Sequence, residues 1–188
     1  MDTVVYFDIA GRAEPIRQMY KHAKVEFIDK RIQKEDWAAE QKAGIEDGSL
    51  PYGQVPTVHF AAEDEWIAQS RSILQLVGER LGLAPKEPRE VRRAMQLLDA
   101  AADVGMKAYM SMTMADKLPA PMLEKMGKDM VMIVSGVERT LVGPYACGEE
   151  PCYADFALGN LANMMKMGGK TELLEACPKL AALAALYE

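Results

Sequence analysis

The sequence predicts an α/β domain followed by an all-helical domain, and three observations support this prediction. Segments typical of strands and helices alternate within the first 82 residues. The stretch LAPKEP (83–88), which has two prolines and few apolar residues, is typical of a linker. After residue 68 no segment has a strand pattern, and apolar residues recur at helical spacing. We therefore expect an α/β unit over residues 1–82 and an all-α unit over residues 83–188.

The first unit is predicted to begin with a strand, a helix and a second strand. TVVYFDI (3–9) is rich in β-branched and aromatic residues, which favour extended structure. Gly11 ends this strand, and AEPIRQMYKHA (13–23) follows as a helix with its proline in the first turn, where proline is tolerated. VEFIDKRI (25–32) alternates apolar and polar residues, as a half-buried strand does.

The rest of the first unit is predicted to contain a helix, a hairpin and a last helix. The helix is EDWAAEQKAG (35–44), and a polar turn leads from it to the strand VPTVHF (55–60). A turn at EDEW (63–66) leads to the strand WIAQ (66–69), and SRSILQLVGERLG (70–82) is the last helix. This order of elements is that of a thioredoxin-like domain.

Three amphipathic helices are predicted in the second unit, over residues 89–118, 122–142 and 153–168. Two short helices separated by Pro178 finish the chain. Several of the fourteen methionines lie on the first two of these helices. Flexible core filling and an adaptable pocket for varied apolar ligands are both compatible with them.

Composition excludes several classes of function. A net charge of −6 and a pI near 5.1 provide no basic surface for nucleic acid or an anionic membrane. No apolar run reaches the length of about 18 residues that a membrane span needs, and the charges in residues 1–20 predict that no signal peptide is present. Two histidines without clustered carboxylates predict no metal site. Three cysteines without CxxC spacing indicate a reducing compartment, so we expect a cytoplasmic protein.

Four motifs occur in order along the chain: YFDIAGRAEPIR (6–17), LPYGQVPTV (50–58), IAQSRSIL (67–74) and CYADFAL (152–158). The first is similar to the opening of sigma-type glutathione transferases, and the second to that family's loop with a Val-Pro bond. The third resembles the start of the last helix of the family's first domain, and the fourth its buried capping box. With these motifs the chain resembles the cytosolic glutathione transferases, sigma-like and of the tyrosine type.

The resemblance implies a role for each domain. Residues 1–82 are expected to form a thioredoxin-like domain that binds glutathione as co-substrate. Residues 83–188 are expected to form an all-helical domain that provides the second-substrate side and the dimer contacts. The second substrate is expected to be a small apolar electrophile near Tyr6, Ile9 and the methionine-bearing helices. No metal, nucleic acid or membrane takes part in such a reaction.

The resemblance also implies that Tyr6 activates the thiol of glutathione. A phenol hydroxyl that donates a hydrogen bond to a thiolate favours the charged form and lowers the pKa of the thiol. Lowering it from about 8.5 to about 6.5 requires about 2.7 kcal/mol, and one charge-assisted hydrogen bond contributes about 1.5–3 kcal/mol. No cysteine lies between Asp8 and Glu14, so thiol–disulfide exchange at the first helix is not expected.

Further residues are implied to bind glutathione: Arg12, Trp37, Lys42, Gln54, Val55, Pro56, Gln69, Ser70 and Asp103. Gln69 and Ser70 begin a helix, where free main-chain N–H groups bind a carboxylate; a plain serine N-cap is the alternative for Ser70. Val55 is expected to pair its main chain with the cysteinyl unit, next to a cis bond to Pro56.

Three of these positions leave alternatives open. Arg12 either orders the site near Tyr6 through its five donors or forms a surface salt bridge. The family interval places Gln41, not Lys42, where relatives have a lysine near the glycyl carboxylate, and both remain candidates. Gln54 stands where some relatives have lysine, which removes one charge contact.

Two positions in the helical domain carry further expectations. Asp103 aligns with the residue that reaches the glutathione of the neighbouring subunit, which implies a homodimer; a solvated helix carboxylate is the alternative. Cys152 replaces the serine or threonine of the family's capping box, with Asp155 in place. Because a thiol is a weak acceptor, we expect a cap weaker by up to about 1 kcal/mol.

Two other functions fit the same motifs. One is a glutathione-dependent isomerase of the prostaglandin type, which uses glutathione without consuming it. The other is a non-catalytic descendant, such as a lens crystallin or a glutathione-binding module. Retention of Tyr6, Arg12, Gln69, Ser70 and Asp103 argues against the second, because a purely structural role needs none of them.

Overall fold

A computed structural model describes residues 1–187 of the chain, which separate into two compact units, Met1–Ala84 and a second that begins at Pro85. The first unit contains β1 (Thr3–Phe7), α1 (Glu14–His22), β2 (Ile28–Ile32), α2 (Trp37–Glu46), β3 (Thr57–Phe60), β4 (Glu65–Ala68) and α3 (Ser70–Arg80). Short 3-10 turns precede α1 and α2. This order of elements confirms the predicted thioredoxin-like fold of the N-terminal unit.

The four strands form one mixed sheet in the order β2-β1-β3-β4. β1 pairs with β2 in parallel, while β1 with β3 and β3 with β4 are antiparallel. Val4 and Val58, from the two central strands, are wholly buried, as are Ile16 of α1 and Ile73 of α3. Helices α1 and α3 contact each other, so the core of the unit is built from these two helices and the central strands.

The second strand begins three residues later than its sequence pattern predicts. Lys24 has a φ of 55°, and the N–H of Val25 donates to the carbonyl of Tyr20 at 3.0 Å. These residues therefore form the turn that ends α1. Val25 is exposed. Its sequence pattern is that of a strand, but in the structure it belongs to the C-terminal turn of α1.

The second unit contains α4 (Pro88–Thr113), α5 (Ala120–Thr140), α6 (Tyr153–Met167), α7 (Thr171–Glu175) and α8 (Pro178–Ala185). Ten of the 15 residues of α6 are buried, and this helix contacts α4, α7 and α8. It is therefore the central helix of the unit. Among residues 1–187, no helix combines the length and the apolar character that crossing a membrane requires. The all-helical architecture confirms the prediction for the C-terminal domain.

The methionines of α4 and α5 fall into two groups. Met126 and Met130 are buried and fill the core between helices. Met106, Met112 and Met132 are exposed. Core filling accounts for the first group, and the interpretation of the second group as an apolar ligand surface stays a prediction.

A capping box begins α6, with Cys152 at the N-cap and Asp155 at the third helical position. Asp155 is wholly buried, and its two carboxylate oxygens accept the N–H groups of Cys152 at 2.7 Å and Ala146 at 2.6 Å. Burial raises the pKa of Asp155 while these donors oppose the rise. The predicted capping box is therefore present, and its carboxylate also ties down the loop before the helix.

Candidate functional site

The sheet register brings three segments that are distant in sequence together at one end of the strands β1, β3 and β4. Val5 pairs with Thr57, and Thr57 pairs with Ala68. One step further along these strands come Tyr6, Pro56 and Gln69, which therefore stand side by side where the strands end. We refer to these three residues as the edge row. The sequence motifs that predict the site meet there, although they are far apart in the chain.

The hydroxyl of Tyr6 lies against the turn that follows β1. It accepts the main-chain N–H of Arg12 at 3.3 Å, and Tyr6 is only 8% exposed. Gly11 has a φ of 46°, and a Cβ at this position would lie 2.7 Å from the tyrosine oxygen. Because the oxygen accepts from the main chain, its own hydrogen remains a donor for another group. Accepting a hydrogen bond also makes a hydroxyl a stronger donor.

Arg17 is the structurally important residue that the sequence analysis did not identify. It is wholly buried. Its Nη1 donates to the carbonyl of Ile9 at 2.7 Å, its Nη2 to that of Phe7 at 3.4 Å, and its Nε to Asp29 Oδ1 at 3.0 Å. The guanidinium carbon is 6.0 Å from the centre of the Tyr6 ring. Arg17 thus holds the turn that contains Gly11 and Arg12, the two residues next to the Tyr6 hydroxyl.

A signal for Arg17 does exist in the sequence. It lies four residues after Ala13 and three before Tyr20, on the apolar stripe of α1. An arginine at such a position must be buried and therefore hydrogen-bonded. Arg12, which was predicted to order the site, has an exposed side chain and reaches Tyr6 through its main chain. The role of its guanidinium stays a prediction.

The Val55–Pro56 bond is cis, as the resemblance implies. The loop before it is held by the N–H of Gly53, which donates to the carbonyl of Leu50 at 2.9 Å. Gln41 Nε2 donates to the carbonyl of Gly53 at 2.7 Å. Gln41 therefore connects α2 to this loop, close in sequence to the exposed Gln54.

Helix α2 carries the other two predicted residues. The ring of Trp37 packs edge-on against Phe7 at 5.0 Å between centroids, and Lys42 is exposed. Of the residues of α2, all of which are described, only Gly44 is buried. A hollow of about 570 Å³ separates α2 from the sheet, and the edge row does not line it. The position of α2 depends on few contacts, among them the Lys30–Glu40 ion pair at 2.7 Å.

The junction of β4 and α3 has an unusual backbone. Gln69 has φ 71° and ψ 108°, a conformation that a residue with a side chain rarely adopts. Such strain is found mainly where the surrounding structure serves a ligand or a switch. Ser70 is the first residue of α3, so the free N–H groups of the first helical turn lie beside the edge row. This end of the helix suits a carboxylate.

Asp103 lies on α4 in the second unit and is exposed. Its surroundings in the unit are those of a solvated helix carboxylate. The predicted contact with a neighbouring subunit's ligand therefore stays a prediction.

No protein-family model matches the sequence. Curated relatives are glutathione S-transferases of several classes. A glutathione S-transferase 1 of Ascaris suum is 34% identical over 100 residues, which are 53% of this chain and 45% of the relative. A glutathione S-transferase P 2 of Bufo bufo is 34% identical over 109 residues, 57% of this chain and 49% of the relative. The chain thus spans about half the length of the curated relatives it matches first.

A third relative extends over most of the chain. The glutathione S-transferase S1 of Drosophila melanogaster is 24% identical over 183 residues, 95% of this chain and 70% of the relative. The sequence is therefore similar to glutathione S-transferases. These matches do not distinguish the sigma-like subtype from other classes.

Solved structures share the fold. A Pi-class glutathione S-transferase of Onchocerca volvulus superposes with a TM-score of 0.81 at 24% identity, covering 98% of this chain and 86% of its own. A prostaglandin synthase D of Nilaparvata lugens gives 0.80 at 20% identity, covering 100% and 92%. A glutathione S-transferase of Necator americanus, described as monomeric, gives 0.76 at 23% identity, covering 98% and 89%. The chain has the fold of these proteins, a thioredoxin-like domain followed by an all-helical one.

We expect Arg17→Met to lower the free energy of unfolding of the first unit by about 2–4 kcal/mol. The substitution leaves main-chain carbonyls and Asp29 without their donor. Both tryptophans, Trp37 and Trp66, lie in this unit, so their fluorescence during urea unfolding measures it. Arg12→Met is the control and should cost less than about 1 kcal/mol, because Tyr6 contacts the main chain of residue 12. Equal unfolding midpoints for the two variants would contradict the role given to Arg17.

Proposed function

We propose that this protein is a glutathione transferase that conjugates the glutathione thiolate to small apolar electrophiles. The observation that supports this most directly is the edge row. It joins a tyrosine hydroxyl whose hydrogen is free to be donated, a cis-proline loop and the start of a helix. A thiol, a peptide unit and a carboxylate are the groups that such an arrangement suits, and glutathione contains all three.

The proposed binding mode follows from these three elements. The γ-glutamyl carboxylate accepts N–H groups at the start of α3, beside Gln69 and Ser70. The cysteinyl unit pairs with the main chain of Val55, which lies just before β3 at the cis bond to Pro56. The glycyl carboxylate lies toward α2 and its Trp37. The side-chain amide of Gln41 already donates to the carbonyl of Gly53. We therefore assign the contact with the glycyl carboxylate to Lys42, whose side chain is exposed.

The proposed chemistry needs one hydrogen bond from Tyr6. Its hydroxyl donates to the thiolate sulfur, and the proton of the thiol goes to solvent. The bond supplies most of the about 2.7 kcal/mol that separates a thiol of pKa 8.5 from one of 6.5. The thiolate then forms a carbon–sulfur bond, and the electrophile expels its leaving group or takes up a proton. Arg17, whose charge is paired with Asp29 and Glu14, contributes by fixing the turn beside the hydroxyl.

The finer features are also proposals. We infer a sigma-like protein from the motif around Tyr6 and a cytoplasmic location from three cysteines without CxxC spacing. We infer a homodimer from Asp103, which aligns with the family residue that reaches the neighbouring subunit's glutathione. An electrophile site beside the exposed methionines of the helical unit fits the adaptability of that side chain.

A glutathione-dependent isomerase is the second candidate. The Nilaparvata lugens protein with the same fold is described as a prostaglandin synthase D. In an isomerase the thiolate attacks the substrate and leaves again, so Tyr6 has the same role. Assaying both a chromogenic electrophile and a prostaglandin endoperoxide, with free thiol measured before and after, separates the two, because only conjugation consumes glutathione.

Tyr6→Phe should keep the fold and most of the affinity for glutathione but reduce turnover by roughly 10–100-fold. The substitution removes one hydrogen bond to a developing anion and little else. The pKa of bound glutathione, followed by thiolate absorbance, should rise in the variant. An unchanged pKa rules out Tyr6 as the activating group.

Gly11→Ala should lower turnover through Tyr6 without touching a ligand. The new methyl group would lie 2.7 Å from the tyrosine oxygen and must displace it. Gly48→Ala is the matched control, because Gly48 also has a positive φ, 83°, with nothing within 4 Å of a Cβ. Both variants should lose at least about 1 kcal/mol of stability because of the positive φ, and Gly11→Ala should lose more because of the clash. Only Gly11→Ala should lose activity by 10-fold or more at saturating glutathione. Equal activities would show that the position of the hydroxyl is not limiting.

The proposed homodimer is tested by sedimentation equilibrium at micromolar concentration. The expected mass is twice the 20.8 kDa of the chain. The Necator americanus structure is described as monomeric, so the fold alone does not determine this result. A mass near that of one chain refutes the dimer.

Asp103→Asn should weaken glutathione binding by roughly 2–10-fold, since a partly exposed charge pair contributes about 0.5–1.5 kcal/mol. Turnover at saturating glutathione should change little, and the effect should shrink with added salt. Mixed dimers of a Tyr6→Phe chain and an Asp103→Asn chain locate the contact. If Asp103 serves its neighbour, the surviving Tyr6 site keeps normal affinity; if that site is weakened, the residue serves its own chain.

A further inference from the structure

Two of the three cysteines form a buried pair in the helical unit. Cys152 is the N-cap of α6, and Cys147 lies in the loop that precedes it. Their sulfur atoms are 3.7 Å apart, and both residues are at most 5% exposed. A disulfide has a sulfur–sulfur length near 2.05 Å. A closing movement of less than about 2 Å, shared by two side chains and an irregular loop, therefore brings the two sulfur atoms to bonding distance, and an oxidant is needed to form the bond.

The capping carboxylate holds the two cysteines together from both sides. Asp155 accepts the N–H of Cys152 itself and that of Ala146, the residue directly before Cys147. These bonds use main-chain groups, so they do not depend on the oxidation state of the sulfur atoms. The loop between the two cysteines is thus closed already in the dithiol form. Such preorganisation favours a reaction within the pair over reactions with other thiols.

The pKa values of the two thiols are shifted in opposite directions. The hydrogen bond that Cys152 donates lowers the pKa of Cys147, and nearby Arg93 acts in the same direction against the effect of burial. The hydrogen bond to Cys147 and burial raise the pKa of Cys152. Since the thiolate is the nucleophile, Cys147 is the residue that attacks first and Cys152 the one that resolves.

Cys147 lies beside a surface hollow, although it is itself only 5% exposed. A surface hollow of about 450 Å³ is lined by Glu87, Arg89, Glu90, Arg93 and Val142. Two of these residues contact Cys147: its thiol donates to the carbonyl of Glu90 at 3.5 Å, and its carbonyl accepts from Arg93 Nη1 at 3.5 Å. A molecule of the size of hydrogen peroxide fits this hollow, and Cys147 lies directly behind its lining residues Glu90 and Arg93.

We propose that Cys147 and Cys152 are a peroxide-sensitive dithiol that closes to an intramolecular disulfide. The thiolate of Cys147 attacks one oxygen of hydrogen peroxide, the O–O bond breaks, and the departing hydroxide takes up a proton to become water. Cys147 is then a sulfenic acid. The sulfur of Cys152 attacks the sulfenic sulfur, the S–O bond breaks, and the hydroxyl leaves as water with the proton of the Cys152 thiol. The dithiol is oxidised by two electrons, and one peroxide is reduced to two waters.

This site is independent of the proposed transferase reaction, because it uses neither the edge row nor glutathione. The proposed site also explains why position 152, where the capping box normally has a hydroxyl oxygen, is a cysteine. Serine or threonine at position 152 makes the stronger cap. Cysteine gives up part of that cap and is the residue type that can resolve a sulfenic acid.

The test oxidises the reduced, full-length protein with hydrogen peroxide and counts thiols by alkylation and mass spectrometry after unfolding. We expect three alkylated cysteines to become one, with a cross-linked peptide that joins residues 147 and 152. Dithiothreitol should restore all three. Cys177→Ser is the matched control, because it removes the third thiol, at the N-cap position of α8, and should leave the disulfide unaffected.

Two further variants separate the roles of the pair. Cys152→Ser keeps a side-chain cap and is expected to accumulate a sulfenic acid at Cys147, captured by a cyclic diketone such as dimedone. Cys147→Ser should give no comparable labelling at Cys152. A disulfide that includes Cys177, or wild-type protein that keeps all three thiols under conditions where small dithiols are oxidised, would overturn the proposal. The peptide map of the wild-type chain decides this even if a variant fails to fold.

Discussion

The pairing of Val5 with Thr57 and of Thr57 with Ala68 is the constraint on which the candidate site depends. Side chains alternate between the faces of a sheet, so a slip of one residue in either pairing moves the edge row to the other face. Thr57 is wholly buried at the centre of this register, and the apolar residues of β1 and β3 fix it from within the core. The alignment of the edge row is therefore set by the core.

A second requirement is that the turn after β1 keeps its shape, and here a buried charge is used in place of apolar packing. Three main-chain carbonyls, those of Phe7, Ile9 and Ala10, face the guanidinium of Arg17. A planar group with five donors can bind all three carbonyls and Asp29 at once, whereas a lysine has only three donors. The cost of burying the charge is offset by these bonds and by Asp29. The turn is thereby stiff enough to position a hydroxyl.

Periodicity and turn residues predicted most of the elements and the two-unit architecture, because these depend on local sequence patterns. The cis-proline loop and the capping box were expected from the family resemblance, and both are present. The start of β2 was wrong because the apolar Val25 is used in a helix-ending turn. Arg17 was missed because arginine is ordinarily a surface residue. Its three carbonyl partners belong to the main chain, so no residue type in the sequence indicates them. The nearness of the two cysteines was also missed, since it depends on the loop that Asp155 closes.

The hollow beneath α2 has a consequence for the dynamics of the first unit. A helix with one buried residue contributes little apolar area, so detaching it costs only a fraction of the free energy that holds β1 and β3. We therefore expect the amide hydrogens of α2 to exchange with solvent through local opening, and those of the central strands to exchange only through global unfolding. A ligand that reaches from the edge row to α2 must restrain this motion, and part of its binding free energy is spent as lost conformational entropy of the helix. Substitutions on the far side of α2 can therefore tune affinity without touching the ligand.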